Sequence, residues 1–331
     1  MIKLLKKVKS FFIYKLILYF FFHIYNFIWS YIINFKAKFL YFLWKKNKDS
    51  YDIGSQPRIV YDNKECKKLA AEIYNFYIEN PDLKKKITNN NTNENYSSQK
   101  KVNIISVLDE KIKRNILNFA ISDKIITTVN NYLKIFPTIC KINLIESSPT
   151  NKPEGPAQWH RDDFGFKSLD LFINISEINE DNGPLFAFFF PNNIGVFSAI
   201  RGEEYRDTRK GDRNKILDET FMSQTEKIKN TNLIKLEGEP GNIMFIDSFN
   251  VYHKGGFCKK NKRLMLRISY QSKDSANLRE IGESDEFKKY IKDIKKTIFS
   301  KHLLENKINP LQKKINLFLT NKIYKYLRTY L

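Results

Sequence analysis

Histidine, the commonest metal ligand in proteins, is rare in this sequence. The sequence contains four histidines, and only His160 and His253 lie in its central part. Asp162 follows His160 by two residues, and residues at that spacing on an extended segment point the same way, whereas Asp163 would point away. We therefore expect His160, Asp162 and His253 to bind one metal ion. Two imidazoles and one carboxylate leave positions open for a co-substrate and O₂, as a non-haem iron(II) oxygenase requires.

Two arginines follow His253 on a segment with the alternation of a β-strand. Arg263 lies ten residues after His253, and Arg267 lies four residues further on. Both arginines fall on one face of the segment 263–271, and its leucine, isoleucine and tyrosine side chains fall on the other. Guanidinium groups in this position need an anionic partner, and they bind carboxylates through paired hydrogen bonds. The arginines therefore predict a dicarboxylate co-substrate; the alternative is an edge strand with solvated surface arginines.

Helical patterns come before these residues in the chain. Residues 62–79 carry apolar side chains at helical spacing behind a capping residue, and residues 109–134 return to the same period. Residues 49–60 have the composition of a linker. Residues 87–100 are polar and low in complexity, which predicts a mobile loop.

Short β-type runs separated by turn residues follow, between about residue 139 and residue 271. The runs are 139–146, 168–176, 185–190, 233–237, 243–247 and 263–271. No clear helix alternates with them, so a parallel sheet is disfavoured. Helices followed by many strands predict an α+β, mainly β architecture, in which an antiparallel sandwich or barrel is buttressed on one face by helices. The polar segment 198–232 is expected to be an insertion that covers one open end of the sandwich or barrel.

Charge divides the chain into three parts. Residues 1–48 contain ten lysines and no acid, and residues 287–331 contain twelve basic residues and two acids. The part between them is balanced, with 35 basic and 34 acidic residues in 49–286. We interpret 1–48 as a basic apolar N-terminal helix, 49–286 as the catalytic domain and 287–331 as a basic amphipathic helical tail. A balanced domain argues against a nucleic-acid partner, and cationic tails favour an anionic membrane surface.

Residues 16–35 form an uncharged run of about the length that spans a bilayer as a helix. Polar residues interrupt the run, and lysines flank both of its ends, so its orientation is undetermined. Two interpretations stay open: a membrane anchor, spanning or in the plane, and a helix packed on the domain or on a partner. The three cysteines are widely spaced, which predicts free thiols, a reducing compartment and a cytoplasmic protein, with membrane contact on the cytoplasmic face.

Two stretches of the sequence resemble the phytanoyl-CoA dioxygenase family of Fe(II)/2-oxoglutarate-dependent oxygenases. Residues 159–185 contain a Trp-His-x-Asp pair before a predicted strand and then an Asn-Gly-Pro-Leu turn. Residues 240–263 contain a Gly-Asn turn, the second histidine and an arginine ten residues later. All of these motifs stand in the family's order, and the resemblance covers roughly residues 60–271.

The resemblance implies a double-stranded β-helix (a cupin-like jelly roll) with N-terminal helices. It implies Fe(II) at His160, Asp162 and His253, and the distal carboxylate of 2-oxoglutarate at Arg263, with Arg267 as the second candidate for that role. The implied reaction uses O₂, releases succinate and CO₂, and hydroxylates a C–H bond of a small or lipid-linked substrate. Residues 186–193 lack the serine and histidine that usually follow the turn, so the family's substrate is not carried over.

Three other functions are compatible with parts of the sequence. The first is a catalytically inactive jelly roll that binds a membrane surface or a partner, and the intact metal set argues against it. The second is a nucleic-acid-binding protein, which the balanced charge of residues 49–286 disfavours. The third is an enzyme of the same fold that uses another metal for non-oxidative chemistry, which metal analysis would distinguish.

Overall fold

A computed structural model defines the architecture of the chain. It describes residues 35–44, 49–53, 58–60, 64–80, 99–103, 108–149, 157, 159–161, 168–188, 204–205, 215–217, 233–248, 251–256, 258–272 and 298–304. The helices among these residues are α1 (Phe35–Trp44), α2 (Lys64–Glu79), α3 (Glu110–Ala120), α4 (Asp123–Leu133) and α5 (Ile298–Leu304).

Twelve strands are formed by the described residues. They are β1 (Arg58–Val60), β2 (Gln99–Asn103), β3 (Thr138–Ser147), β4 (His160–Arg161), β5 (Ser168–Asn174), β6 (Leu185–Phe188), β7 (Glu204–Tyr205), β8 (Lys215–Leu217), β9 (Leu233–Leu236), β10 (Ile243–Ile246), β11 (Tyr252–Gly255) and β12 (Arg263–Gln271).

The strands form two six-stranded antiparallel sheets. The order in the first sheet is β1-β10-β5-β12-β3-β2, and the order in the second is β7-β8-β4-β11-β6-β9. From β3 onward the chain passes back and forth between them, with β3, β5, β10 and β12 in the first and β4, β6, β9 and β11 in the second. Two facing antiparallel sheets with this alternation are typical of a jelly roll. The predicted mainly β, antiparallel architecture is confirmed.

The outer face of the first sheet packs against the helices. Leu264, Leu266, Ile268 and Tyr270 of β12 belong to one buried apolar cluster with side chains of all five helices. These are the alternate positions that the sequence assigned to the apolar face of this strand, since side chains of a strand alternate between its two faces. Their burial against α1 to α5 explains why the sheet has a fixed inner face.

A second, smaller apolar cluster lies between the sheets. Its members from the first sheet are Ile145, Phe172, Met244, Ile246 and Met265, and Leu185, Ala187 and Leu236 come from the second. Because directly paired antiparallel residues point to the same side, this cluster identifies the inward-facing position in each strand. A residue that is paired with a member of this cluster therefore points between the sheets.

The predicted helix over 109–134 is two helices. Asp109 caps α3 by accepting a hydrogen bond from the Ile112 amide at 2.8 Å, and α3 ends at Ala120. The Ile121 and Ser122 amides donate to carbonyls of the last turn of α3, and α4 starts at Asp123. The apolar period continues across this break, so periodicity alone did not reveal it.

Several short strands escaped the sequence-based assignment. β4 has only two residues, and β11 (Tyr-His-Lys-Gly) lacks an apolar run, so neither could be recognised as a strand from its pattern. β1 lies at the end of the predicted linker, and β2 begins inside the predicted loop 87–100, of which residues 87–98 lie outside the described part of the chain. β7 and β8 lie inside the predicted insertion 198–232.

Both predicted tails contribute helices to the core. In α1, Leu40 and Trp44 are buried, and in α5, Leu303 and Leu304 are buried in the same cluster. The division at residues 48 and 286 stays a prediction, but residues 35–44 and 298–304 pack on the domain. Among the described residues, no helix is long and apolar enough to cross a membrane. Residues 16–34, which carry most of the uncharged run, lie outside the described residues.

Candidate metal and co-substrate site

The two central histidines are direct neighbours in the second sheet. His160 of β4 is paired with His253 of β11, and their ring centroids are 4.3 Å apart. His253 is also paired with Ala187, a member of the cluster between the sheets, so both imidazoles point inward. Each residue is at most 4% exposed. Two buried imidazoles this close on one face can coordinate the same cation.

The orientation of His253 suits a metal ligand. Its Nδ1 lies 3.1 Å from the carbonyl oxygen of Val251. A carbonyl can only accept a hydrogen bond, so Nδ1 carries the proton and donates it. The lone pair of the ring is then on Nε2. Metal-binding histidines are commonly held in this way, with one ring nitrogen bonded to a carbonyl and the other directed at the metal.

Asp162, the predicted carboxylate ligand, lies outside the described residues, since the description of β4 ends at Arg161. In the part of the chain that is described, no group of three or more histidine, cysteine, aspartate or glutamate side chains could hold a metal ion. The predicted set therefore has two of its members in place, and the role of Asp162 stays a prediction.

Arg263 is buried at the start of β12, and none of the carboxylates in the described part of the chain is paired with it. Its guanidinium donates to the carbonyl of Gly183 and, over 3.0 Å, to the Ser147 hydroxyl. Its Nε has no hydrogen-bond partner, and no described carboxylate forms an ion pair with it. Burial lowers the pKa of Arg263 from its ordinary value, and the nearby Cys258 partly opposes this. A buried cation that lacks an anion is the arrangement expected where a ligand carboxylate binds.

The Asn-Gly-Pro-Leu turn has a clear structural role at this position. Asn182 fixes the turn through its side chain, which accepts from the Asn179 amide and donates to the Glu177 carbonyl. Gly183 has φ +67°, and its carbonyl accepts the hydrogen bond from Arg263. Gly256 packs so closely on this turn that a Cβ there would overlap the Pro184 carbonyl oxygen. The turn therefore holds the guanidinium in place.

Arg267 differs from Arg263 because the chain supplies its anion. Its guanidinium donates to the Asp170 carboxylate at 2.7 Å, and both residues are buried. Hydroxyl groups of Ser248 and Ser269 also donate to Asp170. A carboxylate with three donors, one of which is a cation, is well satisfied. Of the two predicted candidates for the co-substrate carboxylate, Arg263 is the one that is not already neutralised.

Asn174 was not singled out from the sequence. It is fully buried at the end of β5 and is paired with Met265, which places its side chain on the inner face beside the Arg263 end of β12. Among the residues that the structure describes, neither its carboxamide oxygen nor its nitrogen has a hydrogen-bond partner. A buried amide without hydrogen bonds costs on the order of 1–3 kcal/mol of stability, so we expect the Asn174 carboxamide to form hydrogen bonds to a bound ligand. An asparagine within an apolar strand pattern was the available signal.

Trp159 supports the histidine strand from outside. Its ring lies 6.4 Å from that of Phe186, and the Lys254 ammonium lies 4.8 Å above it. His160 is the next residue and points inward, so Trp159 points to the opposite face. Its contacts are those of a residue that packs behind the histidine strand.

The three cysteines are free and buried, as their spacing predicted. Cys258 donates to the Asn182 carbonyl at 3.0 Å, which connects it to the turn that holds Arg263. Burial raises the pKa of the Cys258 thiol, while Arg263 opposes the shift. A protonated, hydrogen-bonded thiol of this kind has a packing role.

No protein-family model matches the sequence, and no curated protein is significantly similar to it. Solved structures with a similar arrangement include the non-heme alpha ketoglutarate dependent carbocyclase SnoK from nogalamycin biosynthesis, at 8% identity and a TM-score of 0.43 over 66% of this chain and 81% of that chain. EctD from S. alaskensis, with bound Fe, has 12% identity and a TM-score of 0.44 over 66% and 73%. AviO1 from Streptomyces viridochromogenes Tue57 has 12% identity and a TM-score of 0.38 over 61% and 84%.

TM-scores this low carry no argument by themselves. The strand order defines the fold, and the buried side chains define the site. The resemblance of the sequence to the phytanoyl-CoA dioxygenase family stays a prediction.

Proposed function

We propose that this protein is a double-stranded β-helix oxygenase that depends on Fe(II) and 2-oxoglutarate and belongs to the phytanoyl-CoA dioxygenase family. The observation that carries the proposal is that a buried imidazole pair and a buried arginine share the space between the two sheets, and that no described carboxylate neutralises this arginine. The imidazole pair fits a cation, and the arginine fits the carboxylate of a co-substrate. An inactive jelly roll would have no need of either arrangement.

Each residue has a definite task in this proposal. His160 and His253 hold the iron, and Asp162 completes the set on the strength of its spacing from His160. Arg263 binds the distal carboxylate of 2-oxoglutarate. Iron(II) with 2-oxoglutarate and O₂ supplies the oxidising chemistry, which hydroxylates a substrate C–H bond and releases succinate and CO₂.

The remainder of the inner face excludes water and keeps these groups in position. Phe172, Met244 and Met265 are buried apolar residues of the first sheet that face the histidine strands. A dry site strengthens the attraction between the guanidinium and a carboxylate, because the local dielectric constant is lower than in water. The ion pair of Arg267 and Asp170 adds a fixed, neutral polar layer on the same face.

The substrate is proposed to be small or lipid-linked, and the reaction is expected in the cytoplasm, where 2-oxoglutarate and free thiols coexist. A substrate that is presented at a membrane would suit the cationic N-terminal and C-terminal parts of the sequence. Turnover by the full chain that is equally fast with and without anionic liposomes would contradict that assignment of the substrate.

The test is anaerobic titration of the full-length protein with Fe(II) and 2-oxoglutarate, followed by the metal-to-ligand charge-transfer absorption band. We expect a band that requires both additions and that is lost in His160→Ala and in His253→Ala. His302 provides a matched control, since it is a buried histidine of α5 outside the site, and His302→Gln should keep the band. Folded, iron-loaded wild-type protein without a band would contradict the proposal and favour the inactive jelly roll.

A further inference from the structure

Helix α1 carries an exposed aromatic face. Phe35, Phe39 and Phe42 are 69%, 53% and 73% exposed, and Leu43 beside them is 43% exposed. At 100° per residue, these four side chains fall on one side of the helix. They account for four of the seven exposed large apolar residues of the described chain, although α1 has only ten residues. A cluster of this kind marks an interaction surface rather than scattered surface apolar residues.

The opposite side of α1 is fixed to the domain, so the aromatic face cannot turn inward. Ala37, Leu40 and Trp44 are buried in the apolar cluster of the helices and the first sheet. Trp44 donates from its indole nitrogen to the Thr127 hydroxyl at 3.0 Å, and its ring packs edge-on against Phe136 and Phe299. The orientation of the helix is therefore set by contacts that do not involve the three exposed phenylalanines.

Lysines border the aromatic face on both sides. Lys36 is exposed on one side of the ridge of phenylalanines, and Lys38 is half-buried on the other. An aromatic ridge with lysines at its borders is the pattern of a helix that lies in a membrane interface, with rings at the acyl boundary and ammonium groups at the phosphates. No acidic residue precedes Asp49 in the sequence, so α1 itself contains no negative charge. Asp49 forms an ion pair with Lys124 of α4.

We propose that this face of α1, defined by Phe35, Phe39, Phe42 and Leu43, lies on the surface of an anionic lipid bilayer. Charge decides between the occupants that could cover it. A second copy would bring two lysine-bordered faces together in a chain of net charge +21, and residues 1–34 of the same chain carry five lysines and no acid. Both would add like charge, whereas an anionic bilayer provides the opposite charge. The proposal is independent of the chemistry proposed for the site.

The first test places an environment-sensitive fluorophore at position 39. Because the three native cysteines are buried, a maleimide label directs itself to Phe39→Cys in the full chain. Tyr74 of α2 is a matched control position, since it is 40% exposed on another helix. With phosphatidylcholine vesicles that contain phosphatidylglycerol, we expect a blue shift and quenching by a nitroxide-labelled lipid at position 39 and neither at position 74. A label at position 39 that stays in water on these vesicles would overturn the proposal.

The second test measures partition onto the same vesicles by co-sedimentation. Phe35→Ser, Phe39→Ser and Phe42→Ser together should lower the partition coefficient by at least roughly tenfold, because the burial of even part of three rings contributes that much. The double variant Tyr74→Ser with Ile78→Ser, which removes two exposed apolar residues of α2, should bind like wild type. Equal binding of the triple variant and wild type, or equal binding to vesicles of phosphatidylcholine alone, would contradict the assignment to an anionic bilayer.

Discussion

At the scale of single residues, the two arginines of β12 show how one strand face can hold groups with different roles. Arg263 and Arg267 both point between the sheets and are both buried. Arg267 has a buried carboxylate partner in Asp170, whereas the described contacts of Arg263 are neutral acceptors. Only a carboxylate compensates a buried guanidinium for its lost hydration. The presence of such a partner therefore determines how much the burial of each arginine costs in free energy.

The first prediction compares Arg267→Met with Arg263→Met. Arg267→Met leaves Asp170 buried without its cation and should lower the free energy of unfolding by about 3–5 kcal/mol. Arg263→Met removes a buried cation that no described carboxylate compensates, so it should leave the free energy of unfolding unchanged or raise it, while it weakens 2-oxoglutarate binding by roughly tenfold to a hundredfold. Urea unfolding and anaerobic ligand titration measure the two effects. A larger loss of stability in Arg263→Met would mean that its partners are misassigned.

The second prediction concerns the buried carboxamide of Asn174. Asn174→Leu removes an unsatisfied polar group at similar volume, so the ligand-free protein should be more stable by about 1 kcal/mol. We expect weaker 2-oxoglutarate binding at the same time, because the carboxamide lies on the inner face beside the Arg263 end of β12. Thermal unfolding with and without 2-oxoglutarate measures both.

A matched control for this prediction is Asn130 of α4. Its carboxamide is also buried without a hydrogen-bond partner, but α4 packs on the outer face of the first sheet. Asn130→Leu should therefore stabilise the protein and leave 2-oxoglutarate binding unchanged. Equal loss of binding in both variants would show that the effect of Asn174→Leu is indirect.

At the scale of secondary-structure elements, the site depends on two very short strands and on one turn. β4 and β11 contribute one histidine each, and the β5–β6 turn contributes the Gly183 carbonyl that holds Arg263. Helices α1 to α4 cover the outer face of the first sheet and thereby fix which side of β12 faces the site. The helices contribute to function through this packing, and their stability is therefore relevant to the geometry of the site.

The third prediction compares the caps of α3 and α4. The Asp109 carboxylate accepts a hydrogen bond from the Ile112 amide, so Asp109→Ala should lower the free energy of unfolding by about 1 kcal/mol. Ser122 is the N-cap residue of α4, but its side chain accepts no hydrogen bond from the helix. Among the described residues, its buried hydroxyl has no hydrogen-bond partner. Ser122→Ala should therefore cost nothing or stabilise slightly. Urea unfolding of both variants checks this, and equal losses would contradict the difference in capping.

At the scale of the whole molecule, several groups that ionise at alkaline pH are buried in the neutral form. Burial raises the pKa of the Cys66 thiol above its ordinary value. Burial likewise raises the pKa of Tyr270, and burial followed by the nearby Asp247 carboxylate raises the pKa of Tyr132. Tyr270 donates to the Ala120 carbonyl at 2.8 Å and Tyr132 to Asp247 at 2.7 Å, so both phenols use their protons in the fold.

The fourth prediction follows from the sign of these shifts. The unfolded chain loses these protons near the ordinary values of about 8.5 for a thiol and about 10 for a phenol, while the folded chain keeps them. The stability that they contribute is complete below those values and falls as the pH rises above them. Urea midpoints between about pH 7 and pH 10.5 should decrease, and Tyr270→Phe should flatten the decrease. A midpoint independent of pH over this range would show that these groups titrate alike in both states.

The sequence by itself determined the candidate ligands and the faces of the long strands. His160, Asp162 and His253 follow from residue types and spacing, and the two faces of β12 follow from its alternation over nine residues. The mainly β architecture followed from the succession of apolar runs. These features can be predicted from the sequence, because the period of a strand or helix depends on residues that are close together in the chain. The apolar face of β12 is confirmed, and the assignment of His160, Asp162 and His253 as metal ligands stays a prediction.

Only the tertiary structure decided which distant residues meet. It pairs His160 directly with His253, it neutralises Arg267 with Asp170 across 97 positions of the chain, and it sets the Gly183 carbonyl against Arg263 across 80 positions. Contacts of this range depend on strand register and sheet order, which no local pattern encodes. The position of α1 also depends on long-range contacts. The sequence placed this helix in the basic N-terminal part of the chain, and the packing of Trp44 fixes it to the domain. Burial and pairing therefore assign a role to each arginine, and residue type alone could not.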